Sequence, residues 1–158
     1  MKGLLVTVLY VATGSIGLAV AYRHGSATLV FPPSGIALAA MMLYGFDSMA
    51  PFVWLGAYAL NTSHGSPWWV AATIATGSTA QAALGARLIH RDVFKRDHGP
   101  ERFLLPAAAC CLVAATVGVG ALKAHIPALP VLETWLSWYV GDLCGIIAIT
   151  PLAVMSSY

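Results

Sequence analysis

Six apolar runs, residues 3–22, 27–45, 49–61, 67–89, 103–122 and 131–156, take up most of the chain, with short polar stretches between them. A helix needs about 20 residues to cross the hydrocarbon of a bilayer, and most of the runs are near that length. Lipid offers the backbone no hydrogen-bond partners, so a run in it must satisfy its own N–H and C=O groups, which a helix does within one segment. Composition excludes a soluble alternative: 59% of the 158 residues are hydrophobic and only 9% are charged, far from the balance of a soluble domain. The expected fold is all-α and integral to the membrane, a polytopic bundle of about six transmembrane helices forming one domain over residues 1–158.

The second run contains Phe31-Pro32-Pro33-Ser34-Gly35. Two prolines remove two backbone donors and bias the residue before them away from helical geometry, so the second helix is interrupted or initiated at Pro32-Pro33. A helix starting near Ser34 would aim its positive dipole end, and any free N–H groups, into the protein, a setting suited to a carboxylate. The same prolines also serve simply to begin a helix after an extended lead-in.

Asp142 is the carboxylate to pair with that end. It lies inside residues 135–151, a run otherwise aliphatic, aromatic or small, where a charge is costly in hydrocarbon and is expected to face the bundle interior. Gly141 and Gly145 beside it form a small-xxx-small face on which another helix can pack closely. Ser78 and Gln81, three apart in the fourth run, share a helix face. With Ser34 and Asn61 they are the candidate polar network around Asp142. Three roles are open to the carboxylate, a proton-linked switch, a counter-ion for a bound cation or an anchor for that polar network, and the plain alternative is a structural cap on the second helix.

The basic residues set the expected orientation. Lys2, Arg87, Arg91, Lys95, Arg96 and Arg102 fall on one side of a six-span arrangement, against Arg23 and Lys123 on the other. Positive charge collects inside, so residues 90–102 form a cytoplasmic loop and both termini are cytoplasmic. Topology accounts for the basic residues, and nucleic acid is not an expected partner.

Other features point less sharply. His24, His64 and His125 fall in the three expected outer loops and are candidate metal or haem ligands by type, but their spacing contains no close ligand pair. Cys110, Cys111 and Cys144 lie in apolar runs and read as small packing residues. Trp54, Trp68, Trp69, Trp135 and Trp138 suit an interfacial belt, or alternatively a hydrophobic pocket open to the outer leaflet. There is no HExxH, phosphate loop or acid pair on one helix, so an enzyme is not expected.

Four stretches together resemble one family. They are Phe31-Pro32-Pro33-Ser34-Gly35-Ile36-Ala37-Leu38-Ala39 with Gly45; Trp54-Leu55-Gly56-Ala57 leading to Asn61; Gly77-Ser78-Thr79-Ala80-Gln81-Ala82; and Trp138-Tyr139-Val140-Gly141-Asp142 through Thr150-Pro151. In this order they resemble the membrane-associated sensor domain of type one, of the MASE class, found at the N-terminus of bacterial histidine kinases and cyclic-di-GMP enzymes. The resemblance implies an input module of the bacterial inner membrane that passes a signal to a cytoplasmic effector. Two departures stand out: Gln81 occupies a position that is commonly acidic in the family, and the chain has six runs where the family has about eight spans and then an output domain. The expectation is a truncated or stand-alone form without an output domain, in contact with lipid and with a protein partner. The alternatives are an accessory subunit of a larger membrane complex, one that contacts pigment, haem or lipid, and a solute-binding component of a transporter.

Overall fold

The computed structural model describes residues 1–24, 30–94 and 101–157, with side chains described for all of these except residues 20–24. His24's side chain, the start of the second run at residues 27–29, and Lys95 and Arg96 of the basic loop therefore lie outside the described residues. The described chain forms six α-helices: α1 (Lys2–His24), α2 (Pro32–Tyr44), α3 (Phe46–Ser63), α4 (Trp68–Leu88), α5 (Glu101–His125) and α6 (Val131–Met155). A 3₁₀ turn, Arg91–Phe94, follows α4, and no strand is present among the described residues.

By length and composition, the first 18 residues of α1 (Lys2–Ala19), α5 and α6 can each cross a membrane, and α2 is apolar but shorter. Their outer faces carry large apolar side chains, among them Leu5 and Ile16 on α1, Leu105 on α5, and Leu132 and Leu152 on α6. Exposed apolar faces around a bundle are what lipid calls for. α4 is more polar, yet its Thr73, Thr76 and Thr79 hydroxyls donate to the carbonyls of Trp69, Ala72 and Ala75 one turn back, at 2.7–2.9 Å. Returned to their own helix in this way, those hydroxyls need no acceptor from the surroundings.

Contacts between helices set their directions. Phe31 meets Gly141 and Ser34 meets Asp142, while Gly35 meets Gly145 and Thr150, so α2 and α6 run parallel. α1 and α3 are also parallel, with Gly3 under the Phe52 ring, Gly56 against Tyr10 and Gly14 against Leu60. α4 and α5 are antiparallel: Trp69 packs edge-on to His125, Gly77 faces Val117 and Gly85 faces Cys110.

Gly45 alone joins α2 to α3. Its φ of 86° is open to glycine at little cost, and its N–H donates to the Met41 carbonyl to close α2. Buried packing is dense and made mainly of small side chains, with Leu38, Cys110, Cys111 and Ile146 at its centre and none of them exposed.

The second run gives a helix that starts at Pro32, not one continuous from residue 27, because the prolines occupy its first two positions and tolerate no turn before them. The third helix is longer than its apolar run. Polar Asp47 and Ser48 stay helical in its first turn, since the break falls at Gly45.

Candidate functional site

The start of α2 lies deep in the bundle. Gly141 is the eleventh residue of α6, so α2 begins about 15 Å along α6 at 1.5 Å per residue. Phe31 N–H donates to the Gly141 carbonyl at 2.8 Å, tying the last extended residue to α6. Gly145 makes this approach possible: a Cβ there would overlap the Phe31 carbonyl and lie 2.6 Å from its carbon. One turn further on, Thr150 Oγ1 donates to the Gly35 carbonyl at 3.2 Å.

Asp142, only 2% exposed, is held at this junction. The Ser34 hydroxyl donates to its Oδ1 at 2.5 Å, a charge-assisted geometry if the carboxyl is ionised. Gln81 and Trp138 flank the same carboxyl from α4 and α6. Gln81 is 3% exposed, and its Oε1 accepts no hydrogen bond among the described residues.

The expected set divides in two. Ser34 and Gln81 stand at the carboxyl, whereas Ser78 stands at the Tyr10 hydroxyl. Asn61 donates through Nδ2 to the Ala57 carbonyl of its own helix at 2.8 Å.

The helix end differs from the expected donor-rich terminus. Pro32 and Pro33 have no N–H, and the Ser34 N–H donates to the Phe31 carbonyl at 3.2 Å. α2 therefore presents its carboxyl partner with a hydroxyl, not with backbone donors.

A cavity of about 350 Å³ occupies the space alongside the first part of α6. Asp142, Phe31 and Tyr10 line it at one end, and His64, Ser66 and Thr134 at the other, with Leu18, Leu60, Ile74, Leu122 and Trp138 among its walls. Asn61 and Ser78 line it too. Trp138 also covers Gly118, where a Cβ would come within 2.5 Å of the indole.

Tyr10 is a part of this site that the sequence reading did not single out, while Phe31 entered it only as the residue before the prolines and Trp138 only as a belt or pocket tryptophan. Trp138 lies one helical turn before Asp142, a spacing that puts both on one face. Nothing in the sequence connects Tyr10, on the first helix, to the sixth. The tryptophans separate by role: Trp135 stacks on Tyr139 and donates to Thr116 Oγ1 at 3.2 Å, and Trp54 stacks on Tyr58 and donates to Thr76 Oγ1 at 3.1 Å.

His64 Nδ1 lies 2.9 Å from the Leu60 carbonyl, and His125 packs against Trp69. Among the described residues, no three His, Cys, Asp or Glu side chains are grouped so as to hold a metal ion.

An all-helical membrane domain with a buried carboxyl beneath a lined cavity is thus the class that fold and site define. The MASE1 family model, that of a membrane-associated sensor domain, matches residues 1–157. The chain belongs to this family. No curated protein and no solved structure matches it.

Proposed function

We propose that the chain is the input module of a signalling system in the bacterial inner membrane, and that its signal is received at Asp142. A change at the carboxyl alters how α2, α4 and α6 pack, and a cytoplasmic protein partner reads the change. The observation that carries this reading is the bond between Ser34 and Asp142, which joins two helices at the floor of a cavity.

Charge supports the orientation. Lys2 stands 4.5 Å over the Tyr44 ring and Arg87 lies 5.9 Å from the Phe46 ring centroid, so both belong to the end where α2 gives way to α3. Placing that end in the cytoplasm puts Arg91 and Arg102 there as well, with both termini. Cysteines introduced at Lys2 and Lys123 test it: a membrane-impermeant maleimide added outside should label only the second.

The function is tested on the tagged chain in its native membrane, with the partner captured by cross-linking from the basic loop. Asp142→Asn should keep the partner and lose the signal-dependent change in its output. If the variant responds as the parent does, Asp142 is not the receiving group. If partner and fold are lost together, the carboxyl is an anchor only.

A further inference from the structure

We infer that the cavity above Asp142 binds a small organic cation, a primary ammonium carried on an apolar or aromatic body, with the ammonium at Asp142. This names the ligand class for the site proposed above, and it is testable on the purified chain whether or not that chain signals.

The carboxyl at the floor has hydrogen-bond donors but no counter-charge. Ser34 donates to Asp142 from α2, and the Gln81 and Trp138 side chains flank it from α4 and α6, yet no Lys or Arg stands among the described residues that line the cavity. A buried carboxylate without a positive partner is costly. An ammonium group brings it a positive charge and three donors. An anion would meet a carboxylate with no Lys or Arg among the described lining residues.

The walls argue for an organic cation. Tyr10, Phe31 and Trp138 all line the cavity near the carboxyl, and aromatic rings attract ammonium groups through their faces. Leu60, Ile74 and Leu122 offer apolar surface to the remainder of the ligand. A cavity of about 350 Å³ holds roughly a dozen non-hydrogen atoms at the ~30 Å³ that water occupies.

The test uses the full chain in nanodiscs at constant ionic strength. Phenethylammonium is the probe, with phenethyl alcohol as its neutral counterpart, 3-phenylpropionate as the anion, and sodium chloride against choline chloride for a metal ion. Binding is read by tryptophan fluorescence and by thermal shift. Phenethylammonium should saturate the signal with an affinity at least about tenfold above that of the alcohol, and the carboxylate should not bind. Asp142→Asn should remove that preference. Phe31→Leu removes one aromatic wall at similar volume, so it should fold as the parent does and weaken the ammonium relative to the alcohol by about threefold to tenfold. This variant keeps the test decisive if Asp142→Asn fails to fold.

Equal binding of alcohol and ammonium would overturn the inference and leave an apolar pocket. So would an equal shift from sodium, which would assign a metal ion, and so would no binding by any probe. A selective cation site whose loss leaves signalling unchanged would refute the proposed function and keep this inference. Signalling that depends on Asp142 without cation binding would do the reverse.

Discussion

Replacing Gly145 by alanine should separate α2 from α6 and unfold the chain at a lower temperature. The added Cβ would sit 2.6 Å from the Phe31 carbonyl carbon and 3.3 Å from Pro32 N, besides overlapping the carbonyl oxygen. Carbon atoms at rest lie about 3.5–4.0 Å apart, so the helices must part by about 1 Å. Both sides of the contact are backbone, so no rotamer change relieves it. Such a shift would break the Phe31–Gly141 bond, now 2.8 Å, and stretch the Ser34–Asp142 bond from 2.5 Å. One neutral and one carboxylate hydrogen bond together contribute roughly 2–4 kcal/mol. Alanine's better helix propensity returns about 1 kcal/mol. The net loss is roughly 1–3 kcal/mol, in the range found for overpacked cores.

Cys110 and Cys111 provide the assay. Both are free and fully buried, so a fluorogenic maleimide reaches them only when the helices come apart. In a Cys144→Ala background, which removes the partly exposed thiol, Gly145→Ala should lower the midpoint by about 2–12 °C. A midpoint within a degree of the parent would refute the backbone-contact argument, because a Cβ would then have been accommodated where no space is found.

Gly120 supplies the opposite case: it is exposed on α5 and a Cβ there would meet nothing within 4 Å, so Gly120→Ala should be neutral or stabilise by up to about 1 kcal/mol in the same melt. Gly45→Ala also has open space, but at a φ of 86° it should cost about 1–2 kcal/mol from backbone strain alone. Ser34→Ala should destabilise by roughly 1.5–3 kcal/mol when Asp142 is present. It should cost much less in an Asp142→Asn background, and a double-mutant cycle giving no coupling would show that the bond contributes nothing.

The class of fold was legible because it rests on hydrocarbon length and backbone satisfaction, which apolar runs report directly. The ends of elements were less so. α5 runs from Glu101 to His125, beyond its apolar run at both ends, since a helix does not stop where hydrophobicity does. Ser34 and Asp142 were legible as a pair because two rules converge, a proline-started helix and an unpaired acid in lipid. Ser78 and Gln81 share a face, yet they serve different partners, Tyr10 and Asp142. Periodicity tells which residues share a face and not which neighbour each will meet. The cavity was the least legible feature, because it comes from the depth at which α2 begins relative to α6, a register between helices that no single run encodes.

Under the proposed function, that register is also the route by which one carboxyl would influence a distant surface. α6 carries the cavity wall at Trp138, the buried carboxyl at Asp142, the tight contact at Gly145 and the bond from Thr150 to α2. Just past its end, Ser157 accepts a bond from Arg91 Nη2 at 3.4 Å, in the 3₁₀ turn that leads into the basic loop. A perturbation at Asp142 therefore acts on a rod whose far end already touches the loop. The Gly35–Gly145 contact has no slack to absorb motion locally, and close-packed interfaces pass between discrete arrangements more readily than they deform. A flexible, loosely packed pair of helices would dissipate the change within a turn. Two helices in backbone contact move together or separate, and under the proposed function either outcome would be read at Arg91.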